Sequence, residues 1–270
     1  MSLPDRGHPV IGGRRRPPPF RRVRVLRTER LSSRMGRVTL AGSELEGLRV
    51  EQPAASVRVL LPPADEGELI IPGWSGNEFL LPGGCRPTIR TLTPRHLDSE
   101  RLELDVDVVI HDGGAASEWA QTVRPGDWAA VSGPARGYSI DPDGPSFFLA
   151  GDETAIPAIS QLLELLPAGK PVHTEIEIAV SGARVTLPER PGATIKWLVL
   201  PAGAPPGEAV VDAVRDAELG PETRVWVAGE AAAVQRIRRQ LHGERGLPRD
   251  HASIRGYWKY GRLGGAGGEA

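Results

Sequence analysis

The sequence predicts two units in series: an antiparallel Greek-key β-barrel, then an open parallel-sheet α/β unit. Three observations carry this. The chain has 270 residues, and at roughly 150 residues per domain that length suits two cores better than one. Between Phe20 and Val131 the apolar residues recur in short runs separated by turn residues, the pattern of a small all-β barrel. From Ser146 onward strand-like runs alternate with segments of helical period, which implies a parallel sheet crossed by helices.

Residues 1–19 are rich in Pro, Gly and Arg, including Arg14-Arg15-Arg16-Pro17-Pro18-Pro19. Such a segment buries too little apolar surface to order itself, so a disordered tail is expected. The alternative is a basic arm for nucleic acid, against which the lack of interleaved aromatics counts. Strands are expected at Val23–Leu26, Val38–Leu40, Ser56–Leu61, Cys85–Thr93 and Leu102–Ile110. Val57, Val59 and Leu61 alternate with Ser56, Arg58 and Leu60, as a strand with one buried face requires. After Ile110, the run His111 to Ala120 passes through Gly113-Gly114 into a helix start. Free backbone N–H groups and a positive dipole end meet there, which makes either an anion site or a plain strand-turn-helix with Trp119 in the core. Trp128–Val131 returns to strand, closing a domain over 20–135, and 136–145 reads as a linker.

In the second unit, 146–262, Phe147–Ala150 reads as a buried strand and Gly151–Thr154 as a turn. Ala155–Leu166 reads as a helix with 155, 156, 159, 162, 163 and 166 on one apolar face. Further strands are expected at Thr174–Val180, Trp197–Leu200 and Arg224–Ala228, with helices at Glu208–Glu218 and Ala231–Leu241. Ligands of such sheets sit at the carboxyl ends of the strands, here Gly151–Thr154, Ser181–Arg184 and Gly229-Glu230. No Walker loop or Gly-x-Gly-x-x-Gly follows a strand, and 263–270 is a glycine-rich flexible tail.

Composition narrows the function classes. Lys and Arg number 33 against 34 Asp and Glu, so no global field draws the chain to nucleic acid or a membrane surface. Its single cysteine, Cys85, excludes an intrachain disulfide and a Cys-ligated iron–sulfur cluster. The six histidines show no helical ligand spacing, so no protein-held metal is expected. No apolar run approaches a membrane span and the first residues lack a secretory core. A cytoplasmic monomer is expected. Within this neutral background Arg90-Thr91-Leu92-Thr93-Pro94-Arg95 presents two guanidinium groups and hydroxyls from an extended backbone. That arrangement suits a phosphorylated aromatic ligand, the plain alternative being an edge strand with solvated arginines.

In order along the chain, these motifs resemble those of the siderophore-interacting proteins, FAD-dependent ferric-siderophore reductases of the ferredoxin-reductase-like superfamily. The resemblance covers about residues 20–262. Arg90-Thr-Leu-Thr-Pro-Arg95 stands where that family has Arg-x-Tyr-Thr-x-Arg, and His111 with Gly113–Trp119 is similar to His-x-x-Gly-x-Ala-Ser-x-Trp-Ala. Leu149-Ala-Gly-Asp-Glu-Thr-Ala-Ile-Pro-Ala158, Trp226-Val-Ala-Gly-Glu230 and Gly256-Tyr-Trp-Lys-Tyr-Gly261 resemble its later signatures.

The resemblance implies that Arg90 clamps the FAD pyrophosphate, with Thr91, Leu92 and Arg95 beside it and Thr93 hydrogen-bonding near flavin N5 as the catalytic residue. It places His111, Gly113, Gly114, Ala116, Ser117 and Trp119 on the same cofactor. A nicotinamide would lie over Gly151, Asp152, Glu153, Thr154 and Ala155, with Gly229, Glu230 and Trp258 nearby. Asp152 and Glu153 have a second reading as helix caps. Ser181 and Arg184 sit where a 2′-phosphate reader would, which favours NADPH over NADH. Arg255, Lys259 and Arg262 beside Tyr257 and Trp258 would form a basic rim for an anionic ferric siderophore, or be solvated charges over buried aromatics. Electrons would then pass from NADPH through FAD to Fe(III), releasing Fe(II) in the cytoplasm. The departure is Leu92, which replaces the family tyrosine with a side chain lacking a π face, so looser FAD binding is expected. Two other functions stay open: a flavoprotein reductase with a quinone or electron-carrier protein as acceptor, and a non-catalytic siderophore- or partner-binding relative.

Overall fold

The structure is a computed structural model and describes residues 17–62 and 68–261. Most of the expected N-terminal tail, the 263–270 tail and the rim candidate Arg262 lie outside the described residues. The first sheet holds β1 (Arg21–Ser32), β2 (Met35–Ala41), β3 (Ser56–Leu60), β6 (Ile89–Leu92), β7 (Pro94–Asp98), β8 (Glu103–Val109) and β9 (Trp128–Ala135). A short hairpin, β4 (Gly73–Trp74) with β5 (Phe79–Leu80), stands apart from it. The order β6-β3-β9-β1-β2-β8-β7 is antiparallel throughout.

Its two outermost strands, β6 and β7, are consecutive in the chain and separated by Thr93 alone. A seven-stranded sheet whose ends are joined by one residue has to curl back on itself, so Thr93 lies at the seam of a closed barrel. Alternation builds the interior: Val23, Val25, Val38, Leu40, Val57, Val59, Leu104, Val106 and Val131 are all buried in one cluster. Each such aliphatic contributes roughly 1.5–3 kcal/mol of transfer free energy. Helix α1 (Ala115–Thr122) packs Trp119 into that cluster.

The second sheet is β10 (Phe147–Gly151), β11 (Val172–Ile178), β12 (Ala193–Val199), β13 (Arg224–Glu230) and β14 (Ala252–Trp258), all parallel in the order β12-β11-β10-β13-β14. Helix α2 (Ile156–Leu165) covers one face, where Ile159, Leu162 and Leu163 meet Leu149, Ile176 and Trp226. Helices α3 (Glu208–Asp216) and α4 (Ala231–Arg238) cover the other, where Val211, Val214, Val234 and Ile237 meet Phe148, Val225 and Val227. Strand order runs outward in both directions from the central β10, so the crevice at the carboxyl end of that strand, Gly151, is the topological switch point.

Several expected boundaries move. The strand expected over Cys85–Thr93 is confined to Ile89–Leu92, because Gly83-Gly84 at positive φ turn the chain and Leu81 N–H closes on the Cys85 carbonyl. Strands β7 and β14 were not legible as strands. The first opens on a proline at the barrel seam, and the second is an edge strand in which only Ile254 is fully buried. The helix expected from Ala155 starts at Ile156, with Pro157 in its first turn, after a 3₁₀ turn over Glu153–Ala155. Of the segment read as a disordered tail, Pro18 is tied down by its carbonyl, which accepts from Ser132 Oγ at 2.6 Å. The segment read as a linker is packed rather than slack: Tyr138 N–H donates to the Pro53 carbonyl at 2.7 Å, and a Cβ on Gly137 would meet that oxygen at 2.5 Å. Met35 and Ala54 of the barrel sit in the same core cluster as Leu149 and Ile159, so the two units share buried surface.

Candidate functional site

The barrel seam and the carboxyl edge of the parallel sheet face each other, and side chains cross between them. The tip between β1 and β2 reaches over: Ser33 N–H donates to the Gly182 carbonyl at 3.1 Å, and Arg34 Nε lies 2.9 Å from Glu153 Oε2. Arg34 in turn accepts, through its carbonyl, from Ile110 N–H at 2.7 Å, which brings the His111 loop to the same place.

On the barrel side Arg90 is half-buried, and its Nη1 donates to the Ile89 carbonyl at 2.8 Å. Burial pulls its pKa below the usual guanidinium value, the mark of a cation set where water solvates it poorly. Thr91 is exposed, while Thr93 is buried with its hydroxyl against that of Tyr257 on β14. The Tyr257 hydroxyl is pushed up to about 12 by burial and so stays protonated. Beyond the β8 end, Gly113 and Gly114 take φ of 75° and 95°. A Cβ on Gly114 would lie 3.0 Å from His111 Cε1, so glycine is what lets the loop close against that ring. Gly114 is the N-cap of α1 and provides no side-chain acceptor to its first-turn N–H groups.

The N-termini of α3, α4 and the 3₁₀ turn that leads into α2 are already occupied. Asp152 accepts from Thr154 N–H at 2.9 Å and from the Thr154 hydroxyl at 2.5 Å, and Trp258 Nε1 donates to its second oxygen at 2.7 Å. Glu177 accepts from Gly207, Ala209 and Val210 N–H at the start of α3. Glu230 accepts from Ala232 and Ala233 N–H at the start of α4 and from Tyr260 N–H. Burial raises the pKa of Asp152 and Glu177 above the ordinary carboxylate value, partly opposed by these donors. Carboxylates of the chain itself therefore fill the anion sites of the α/β unit, and the N-terminus of α1 has no such internal acceptor.

Several expected contacts are corrected. Arg95 does not offer a second guanidinium to the crevice: it is paired through both Nη atoms with Glu164 of α2 at 2.6 and 3.0 Å. Leu92 packs against the barrel core rather than lying over a ring site. Trp119 is a core residue, and the Ser117 hydroxyl shapes the His111 loop, donating to its carbonyl at 2.7 Å and accepting from its N–H at 2.9 Å. Gly151 and Ala155 are buried packing positions: a Cβ on Gly151 would reach the Ala228 carbonyl at 2.5 Å. Likewise a Cβ on Gly229 would lie 2.7 Å from Asp152 Oδ2. Asp152, Glu153 and Glu230 are structural acceptors, Glu153 also taking Ala179 N–H at 2.8 Å. Arg255 is no free rim charge, since it donates to the carbonyls of Arg136 at 3.3 Å and Gly137 at 2.8 Å. Ser181, Arg184 and Lys259 are exposed at the carboxyl edge.

Arg34, Gln161, Glu177 and the inward Tyr257 hydroxyl escaped the sequence reading. Gln161 left a trace, a polar residue inside an otherwise apolar helix pattern, but Arg34 left none because its partner is 119 residues away.

A closed barrel joined at its seam to a parallel α/β sheet is the architecture of ferredoxin-reductase-like flavoproteins, and the diphosphate of FAD suits the open α1 terminus and half-buried Arg90. Residues 24–138 match the siderophore-interacting FAD-binding domain and 145–261 the siderophore-interacting protein domain. The chain belongs to the siderophore-interacting protein family. It is 35% identical to a siderophore utilization protein from T. fusca, whose crystal structure superposes with a TM-score of 0.81 over 92% of this chain and 95% of that one. The NADPH-dependent ferric-chelate reductase of Escherichia coli is 32% identical, over 88% of this chain and 92% of that protein. Ferric vibriobactin reductase ViuB of Vibrio cholerae is 30% identical, over 88% of each.

Proposed function

We propose that this protein is an FAD-dependent reductase that moves electrons from NADPH to Fe(III) held in a siderophore. The observation that carries the reading is the contrast between the two units: the barrel unit has an α1 N-terminus without a side-chain cap and a half-buried arginine on β6, whereas carboxylates of the chain cap α3, α4 and the 3₁₀ turn before α2 in the other. FAD held by its diphosphate at α1 and Arg90 would place its ring toward the seam, where the Thr93 hydroxyl can meet N5. The chemistry that FAD supplies when bound is acceptance of a hydride and release of electrons one at a time.

The chain's own residues then bind and orient. Gly113, Gly114 and the first N–H groups of α1 hold phosphate oxygens, with charge-assisted bonds from Arg90. Thr93 offers a hydroxyl whose orientation Tyr257 restricts. Because carboxylates cap α3, α4 and the 3₁₀ turn before α2, a dinucleotide would be recognised by exposed groups, Ser181, Arg184 and Lys259. A guanidinium there favours the 2′-phosphate of NADPH over NADH. Ferric iron arrives inside its chelator as substrate, so the chain needs no metal ligands of its own, and Lys259 can attract an anionic chelate. Release of Fe(II) in the cytoplasm completes the reading.

The test is anaerobic. Holoprotein should be bleached by NADPH faster than by NADH, and its colour should return on adding a ferric catecholate or hydroxamate but not a quinone. Colour that returns only with the quinone assigns a different acceptor. Protein that takes up no FAD at all overturns the reading in favour of a binding module.

A further inference from the structure

We propose that α2 and Tyr257 set the alignment between the two redox rings by gripping the three residues that follow the flavin-facing strand. Thr93, Pro94 and Arg95 are consecutive, and each is held by a different side chain of the α/β unit. The Thr93 hydroxyl lies against that of Tyr257 on β14. The Pro94 carbonyl accepts from Gln161 Nε2 at 2.6 Å, and Arg95 pairs with Glu164 at 2.6 Å. Gln161 is buried, and its Oε1 also accepts from Ala54 N–H at 2.9 Å, so one amide ties α2 to both the seam and the β3 side of the barrel.

Gln161 and Glu164 belong to the helix that begins just after the Gly151–Thr154 turn, at the carboxyl end of the central strand, where ligands of such sheets approach. One rigid element thus starts at the crevice of the α/β unit and carries the grip on the flavin strand along its length. Hydride transfer moves a proton and two electrons from C4 of the nicotinamide to N5 of the flavin; a C–H bond breaks as an N–H bond forms. That step is steep in distance and angle, and a misplacement of about 1 Å costs on the order of a hundredfold. Single-electron transfer from reduced flavin to an external ferric chelate depends far less on angle. Gln161 and Tyr257 are accordingly positioning residues for the first half-reaction and are indifferent to the second. The proposal rests on the reading that Thr93 faces the flavin and NADPH reduces it.

The experiment compares full-length wild type, Gln161→Met and Tyr257→Phe, each loaded with FAD. FAD affinity is measured by fluorescence titration of apoprotein, flavin bleaching by anaerobic stopped flow with NADPH, and reoxidation by ferric citrate after reduction with dithionite. The expected result is an FAD dissociation constant within about threefold of wild type, bleaching slowed tenfold or more, and unchanged reoxidation. Bleaching at the wild-type rate in both variants overturns the proposal, as does an equal slowing of both half-reactions, which a general loss of structure would cause. If Gln161→Met does not fold, Tyr257→Phe, which removes one oxygen atom, decides alone. Thr93→Ala separates the proposal from the reading beneath it. Wild-type bleaching in Thr93→Ala, or a wild type that NADPH does not bleach, sinks the reading and this proposal together. Slow bleaching in Thr93→Ala beside fast bleaching in Tyr257→Phe and Gln161→Met sinks the proposal alone.

Discussion

Arg90 and Tyr257 show how single residues carry this site. A half-buried guanidinium is a poorly solvated cation, and a phosphate is a strong partner for it. Charge-assisted hydrogen bonds contribute about 1.5–3 kcal/mol net. Arg90→Ala should therefore weaken FAD binding roughly ten- to hundredfold by apoprotein titration, and an unchanged dissociation constant would remove the residue from the site. Tyr257 gives a pH signature. Its hydroxyl titrates near 10 when unfolded and is pushed up to about 12 by burial, so the folded state keeps a proton that the unfolded state loses. Its contribution is fully present below pH 10 and fades as pH rises toward 12, by at most about 2–3 kcal/mol. The difference in thermal stability between wild type and Tyr257→Phe should be constant up to pH 9 and shift against wild type between pH 10 and 11.5. A pH-independent difference contradicts the buried hydroxyl.

Among the elements, α1 and α2 divide the work. The first begins without a side-chain cap where Gly113-Gly114 turn the chain at φ values that other residues resist, and the second follows a 3₁₀ turn that Asp152 caps. Gly114→Ala would place a Cβ 3.0 Å from His111 Cε1 at a φ of 95°. It should cost about 1 kcal/mol or more of stability and also weaken FAD binding, seen together in a melting curve and a titration. A loss of stability without a loss of affinity would mean that the loop is scaffold only.

Much of this was legible in the sequence. Alternation exposed the barrel strands, the Gly113-Gly114 break marked α1, and the apolar face of 155–166 marked α2. What stayed hidden was the direction of polar side chains. Arg90 and Arg95 look alike in the motif, yet only the fold brings Glu164 to Arg95. Asp152 and Glu230 end strands where ligands usually bind, yet they turn inward to cap helices. Strand β14 lacked any periodic signal because its partner β13 supplies its register.

At the scale of the molecule the two units behave as one body. Met35 and Ala54 lie in the core of the α/β unit, and Arg34 with Glu153, Arg95 with Glu164 and Arg255 with Gly137 cross the boundary. Glu153 is the most buried of these carboxylates, so removing its partner strands a charge. Arg34→Met should cost about 2–3 kcal/mol in urea unfolding while keeping a single transition with coincident probes. Two separated transitions in the wild type would contradict a shared core.

In the proposed function the flavin is gripped by its diphosphate, through the α1 terminus and Arg90. Titration of apoprotein with FAD and with riboflavin, which has the ring but no phosphate, tests this most directly. One FAD should bind per chain, with riboflavin weaker by about two orders of magnitude; equal affinities would contradict it.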